Sequence, residues 1–319
     1  MRQKSRNFAL GRVPPTIRPV HFVPVLAVLL FATALYGAET RPRVVTSFLP
    51  LYCWAANVAG EHATVENLLP ARAEPHEYAF TPGDARKLSG ADLILINGLG
   101  FESWITKWAR NAPSGTNKLV AATAGMDAEL LYGEHHHHHH DGEDHHGHQE
   151  QPNEHVWLDP LLAAHAVTNI LAGLQRIDPA HAVAYASNAQ AFIVRLHALD
   201  GEIRHALAGI TNRAIVTYHD AFPYFAKRYD LEIPGVVEKV PEVNPTPKYL
   251  SQLGRTMRER GIGVIAIPPG GHSRLAKQIA SDLRVKLIEL DTLESGTPSP
   301  SAYEERMRHN AAVLREHLK

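Results

Sequence analysis

The chain has 319 residues, with hydrophobic residues at 45% and charged residues at 20%. This is a globular composition, long enough for two ordinary domains and unlike a disordered chain. A formal net charge of −1 leaves no basic excess to neutralise phosphates, so no nucleic-acid partner is expected. The single cysteine, Cys53, excludes an internal disulfide and any zinc site built on paired cysteines. The count that asks for a reason is histidine, at 21.

Residues 1–38 carry Arg2, Lys4, Arg6, Arg12 and Arg18, no acid, and an apolar stretch from Phe22 to Leu35. A basic front, a short apolar middle and a small-residue end describe a secretory signal peptide. The apolar stretch is shorter than the roughly 20 residues that a membrane-spanning helix needs. Removing five bases and no acid takes the formal charge from −1 to −6. An exported, mildly acidic mature chain is expected, and one unpaired cysteine suits an oxidising compartment.

From residue 39 onward, strands and helices alternate. Arg43 to Phe48 and Thr64 to Leu69 read as β-branched strands, with a helical pattern from Leu51 to Ala59 between them. Pro82 to Leu88 suits a short helix capped by Thr81, and Asp92 to Gly98 is a near-continuous apolar run of the kind a doubly covered strand shows. Strands separated by helices imply a parallel sheet. Residues 133–154 break the pattern: six consecutive histidines at 135–140 are followed by acids, glycines and three more histidines. With almost nothing to bury, this segment is expected to be a disordered loop.

Asp178-Pro179 opens the longest helical pattern, with Asp178 as the expected N-cap, Val183, Tyr185, Ala189, Phe192, Leu196, Leu199, Ile203 and Leu207 at helical spacing and Gly209 as the stop. Beyond it, Arg213 to Thr217, Pro234 to Val237, Gly263 to Ile267 and Val285 to Leu290 read as strands, separated by helical segments. The last helix is expected over Ser301 to His317. The expected fold is therefore α/β, two lobes, each a parallel-sheet α/β sandwich, joined by one long connector helix. The lobes are 39–178, carrying the loop 133–154, and 210–319, with the connector over 179–209.

Open parallel sheets bind ligands beyond the carboxyl ends of their strands. The residues found there are His76, His155, His219 and Asp291. Three imidazoles and one carboxylate suit a borderline cation such as zinc. Their scatter along the chain leaves the packed or solvated histidine as the alternative for each of them.

The motifs Pro75-His76-Glu77-Tyr78, His155-Val156-Trp157-Leu158-Asp159-Pro160 and Tyr218-His219-Asp220-Ala221-Phe222-Pro223, with Glu289-Leu290-Asp291, resemble the solute-binding proteins of bacterial zinc and manganese ABC transporters, specifically the zinc-uptake type. The resemblance covers essentially the whole mature chain. It implies two lobes joined by a long helix, no enzymatic activity, and Zn2+ held by His76, His155 and His219, with Asp291 available as fourth ligand. It further implies periplasmic location, a monomer, and delivery of the ion to an inner-membrane permease. Where relatives often carry a glutamate after the penultimate strand, this chain has Pro268 in Pro268-Pro269-Gly270-Gly271-His272. That loss of a carboxylate favours zinc over manganese, and His272 is at most an accessory ligand. A manganese or iron solute-binding protein, an exported zinc buffer, and a zinc hydrolase are the competing readings; no compact hydrolytic motif supports the last.

Overall fold

The computed structural model describes residues 40–132, 151–238, 245–271 and 274–318. The expected signal peptide, most of the histidine-rich segment and His272 lie outside the described residues. The first sheet is built from β1 (Arg43–Thr46), β2 (Thr64–Asn67), β3 (Leu93–Ile96) and β4 (Leu119–Ala121), in the order β2-β1-β3-β4 with every pair parallel. The second uses β5 (Ala214–His219), β6 (Glu232–Glu238), β7 (Val264–Ile267) and β8 (Lys286–Glu289), in the equivalent order β6-β5-β7-β8, again all parallel. In each sheet the order reverses at the central strand pair, which opens a crevice at the carboxyl ends.

Both sheets are covered on both faces, as their continuous apolar strands require. In β3, Leu93 and Leu95 enter one hydrophobic cluster while Ile94 and Ile96 enter another. In β7, Val264 and Ala266 face inward and Ile265 and Ile267 outward in the same way. The inward residues of the two sheets belong to one continuous cluster that also takes in Trp54, Trp157, Phe192 and Tyr303. The lobes thus share a core, and residues Arg41–Lys319 form one compact unit.

The long helix is the spine of that core. It runs from Ala182 to Leu207, 26 residues, or about 39 Å at 1.5 Å per residue. Its buried residues, from Tyr185 through Phe192 and Leu196 to Leu207, recur every three or four positions, while Val183 faces solvent at 85% exposure. It packs on helices Leu49–Ala59 and Pro160–Ile177 of the first lobe and Ala302–His317 of the second, and so links the lobes.

Local signals are read by the chain in most places and overridden in a few. Thr81 caps its helix in a reciprocal box with Asp84, and Thr246 accepts from Tyr249 N. Asp178 does not cap the long helix as expected. Its carboxylate instead accepts from Tyr185 Oη at 2.7 Å and His181 Nδ1 at 2.8 Å, and Pro179–His181 forms a separate 3-10 turn. The helix ends at Leu207 with Ala208 as its C-cap, one residue before Gly209. Strand β4 and the helices Ser103–Asn111 and Pro160–Ile177 were not expected from the sequence. The last of these has a clear start signal: Asp159 Oδ1 accepts from Leu161 N at 2.8 Å, directly before Pro160. Residues 151–154, expected to belong to the loop, are ordered by an antiparallel bridge between Tyr132 and Pro152 and by the burial of Asn153. Among the described residues no helix is long and apolar enough to cross a membrane.

Candidate metal site

Four loops at the carboxyl ends of the two sheets meet at one point. His76 stands in the 3-10 turn Pro75–Glu77 that follows β2, and His155 directly precedes the turn Val156–Leu158. His219 is the last residue of β5, and Glu294 lies in the loop after β8. His155 Nε2 is 3.0 Å from Glu294 Oε1 and 3.1 Å from His219 Nε2. His76 Nε2 is 3.2 Å from the same Oε1, and His219 Nε2 is 3.9 Å from it. One donor atom from each of the four residues lies within 4.8 Å of all the others.

These separations have a chemical meaning. Four ligands bonded tetrahedrally at about 2.0–2.1 Å, the zinc–nitrogen and zinc–oxygen range, stand about 3.3 Å apart. Imidazole and carboxylate lone pairs crowded at that spacing repel one another unless a proton or a cation sits among them. Burial sharpens the demand: His155 is 2% exposed and Glu294 7%.

The surroundings hold the group from behind. His76 meets the Phe101 ring edge-on, centroids 5.1 Å apart, and Phe101 packs with Phe48 and Trp157 into an aromatic floor. Trp157 Nε1 donates to Thr292 O at 2.7 Å, and Thr292 Oγ1 donates to Glu294 Oε2 at 2.9 Å. His155 Nδ1 meets Asn153 Oδ1 at 3.0 Å. His76 Nδ1 lies 3.6 Å from Glu154 Oε1. On the open side, a cleft of about 620 Å³ is lined by His76, His219 and Glu294 together with Glu74 and Pro268.

Burial alone would raise the Glu294 carboxyl, but hydrogen bonds from His155 and His76 overturn this and hold it far below the usual carboxylate range. His219 is pushed down to about 4, first by burial and then by the neighbouring His155, so it is a neutral donor at physiological pH. Burial also opposes a proton on His76, yet its hydrogen bond to Glu294 and the charges of Glu294, Glu154 and Glu74 prevail and raise it. A proton on His76 therefore competes with an ion for the site.

The structure brings His76, His155 and His219 together, as the sequence led us to expect, but places Asp291 elsewhere. The Asp291 carboxylate pairs with Arg306 Nη1 at 3.0 Å and accepts from Leu293 N at 2.8 Å. Its backbone N–H and C=O are both bonded to Asn310. Asp291 thus builds the turn, and Leu293, at φ 62° and fully buried, reverses the backbone so that Glu294 enters the cleft. The missed residue was in plain view three positions on, but sequence spacing carries no signal for a left-handed leucine. Asn153 and Glu154 were missed for a related reason, being assigned to the disordered loop. The Pro268–Gly271 turn lines the cleft without a carboxylate.

Two parallel-sheet lobes on a long helical spine, with donors from both lobes meeting in the crevice between their strand ends, define a metal solute-binding protein. The chain belongs to the family described as zinc-uptake complex component A, periplasmic, whose profile matches residues 44–317. Among its relatives is the Bacillus subtilis high-affinity zinc uptake system protein ZnuA, 30% identical over 86% of this chain and 87% of that protein. The zinc-binding protein AdcA of Streptococcus pyogenes is 30% identical over 87% of this chain, which spans only 56% of that longer protein. Among solved structures, FpvC of Pseudomonas aeruginosa in complex with Mn2+ superposes with a TM-score of 0.75 at 26% identity, covering 87% of this chain and 98% of that one.

Proposed function

We propose that this protein captures Zn2+ outside the cytoplasm and passes it to the permease of an ABC transporter. The observation that carries the reading is the convergence of three imidazole nitrogens and one carboxylate oxygen within 4.8 Å, a donor set that suits zinc in a closed four-coordinate site. The ligands are His76, His155, His219 and Glu294. Family membership supports the transport role, and residues 1–38 support export through a cleaved signal peptide to the periplasm, with a monomeric mature chain.

Capture and release follow from where the ligands stand. His76 and His155 belong to the first sheet's lobe, and His219 and Glu294 to the second, so an ion that joins all four stabilises one arrangement of the lobes. The shared core and the long helix restrict that arrangement to small adjustments of the site loops. His76 sits on a short turn beside the open cleft, which makes it the ligand best placed to open first when the ion is handed on. The aromatic floor keeps water away from the far side of the ion, and Glu294 supplies the one negative charge that offsets the cation's lost hydration.

Titration calorimetry of the mature chain with zinc tests this reading. A single tight site is expected, lost in H76A, H155A and H219A; unchanged tight binding in all three variants refutes it. The manganese complex of the structural neighbour favours a second reading, a manganese carrier. Competition of the two metals for the tight site decides between them, with zinc expected to displace manganese.

A further inference from the structure

We propose that Asn153 is a positioning residue for metal capture, fixing the tautomer of His155 and tying that ligand to the other lobe. This rests on the site reading given above. Asn153 is 9% exposed and lies two residues before His155. Its side-chain oxygen accepts from the backbone N–H of His155 at 3.0 Å. Its side-chain nitrogen donates to the backbone carbonyl of Asp220 at 2.9 Å, with Asp220 Oδ2 at 3.4 Å. One backbone group can only donate and the other can only accept, so the amide has one orientation.

That orientation decides where the His155 proton sits. The same Asn153 oxygen lies 3.0 Å from His155 Nδ1. An amide oxygen accepts and does not donate, so Nδ1 carries the hydrogen of the neutral ring. The lone pair of the neutral ring is then left on Nε2, the atom that donates to Glu294 Oε1 when the ring is protonated and that faces Oε1 and His219 Nε2 at 3.0 and 3.1 Å. The ring is thus held in its metal-binding form before any ion arrives, and no tautomer change is needed on capture.

The second half of the role is geometric. Asp220 follows His219 directly in the chain. One amide therefore links the loop that carries a first-lobe ligand to the residue beside a second-lobe ligand. The Asn153 backbone is itself anchored: its N–H donates to Leu131 O at 2.7 Å, and its C=O accepts from Tyr224 Oη at 2.8 Å. Tyr224 belongs to the second lobe, so the link is double.

The test joins histidine nitrogen NMR of the 15N-labelled mature chain at pH 8 with zinc calorimetry. The His155 signals are assigned by comparison with H155Q. The wild-type chain without metal should show His155 protonated on Nδ1 and free on Nε2. N153A should lose that single tautomer and bind zinc about 10–100-fold more weakly. N153D, whose carboxylate still accepts from both His155 groups but cannot donate to Asp220, should restore the Nδ1–H form while leaving the affinity below that of the wild type. A purely structural role would lower the unfolding midpoint of both variants without moving the tautomer. An N153A protein with wild-type tautomer and affinity overturns the proposal. If N153A does not fold, loss of the Nδ1–H form in N153D overturns it. Wild-type protein that binds no zinc sinks the parent site reading instead, whatever the tautomer.

Discussion

His155 Nε2 and Glu294 Oε1 lie 3.0 Å apart although 139 positions separate them in the chain. Two buried groups, one from each lobe, share an edge of a four-donor cage, and the cage is the reason for the contact. On the proposed site, Glu294 rather than Asp291 is the acid on which binding depends. E294Q should weaken zinc by at least about 100-fold, or about 2.7 kcal/mol, with little change in the fold. D291N, which removes the charge paired with Arg306, should cost about 2 kcal/mol of stability and shift zinc affinity by less than tenfold. Calorimetry and urea unfolding of the two variants check this. The opposite ranking of the two affinities would return Asp291 to the ligand set.

Much of this was legible before the structure. Unbroken apolar runs such as Leu93–Ile96 announce strands covered on both faces, and strands alternating with helices leave the parallel sheet as the natural arrangement. The three histidines stand where such sheets bind ligands. What sequence could not supply was the path of the chain through irregular turns. Glu294 depends on a left-handed Leu293, and Asn153 depends on a loop boundary that its polar neighbours disguise. Asp178 looked like a cap, but Tyr185 and His181 compete for its carboxylate, a choice that only the folded arrangement makes.

His219 should contribute a loss of stability to the zinc-free protein as pH falls toward 4. The folded state holds His219 at about 4 against an ordinary 6.5, because burial and His155 disfavour its charged form. The unfolded chain then binds the proton more readily between those values. The contribution is fully present above about 6.5 and disappears as pH falls through this window. It amounts to about 3 kcal/mol at most. Urea midpoints of metal-free wild type and H219Q at pH 7 and pH 5 measure it; equal losses in the two proteins would count against the assignment.

Glu102 predicts the opposite slope. Its carboxyl is 2% exposed, and burial lifts it to about 7 from an ordinary 4.5 despite donors from Ser47, Asn97 and Gly98. Here the folded state binds the proton more readily. The contribution is present below about 4.5 and is lost as pH rises through about 7, again about 3 kcal/mol at most. E102Q should flatten the fall in stability between pH 5 and 8. A slope as steep as in the wild type would show that Glu102 does not titrate there.

The nine histidines between 135 and 148 are expected to add weak, independent zinc sites, since a histidine-rich tract favours metal binding. Deleting 135–148 should leave the tight calorimetric site at its wild-type affinity and remove only the weaker stoichiometry. A loss of the tight site on deletion would mean that this segment contributes a ligand.

The most direct measurement is anomalous diffraction at the zinc edge from crystals of the zinc-loaded mature chain. The account predicts one strong peak between the lobes, about 2.0–2.1 Å from a nitrogen of His76, His155 and His219 and from a Glu294 oxygen. A peak centred on Asp291, or zinc bound only away from the three histidines, would contradict it.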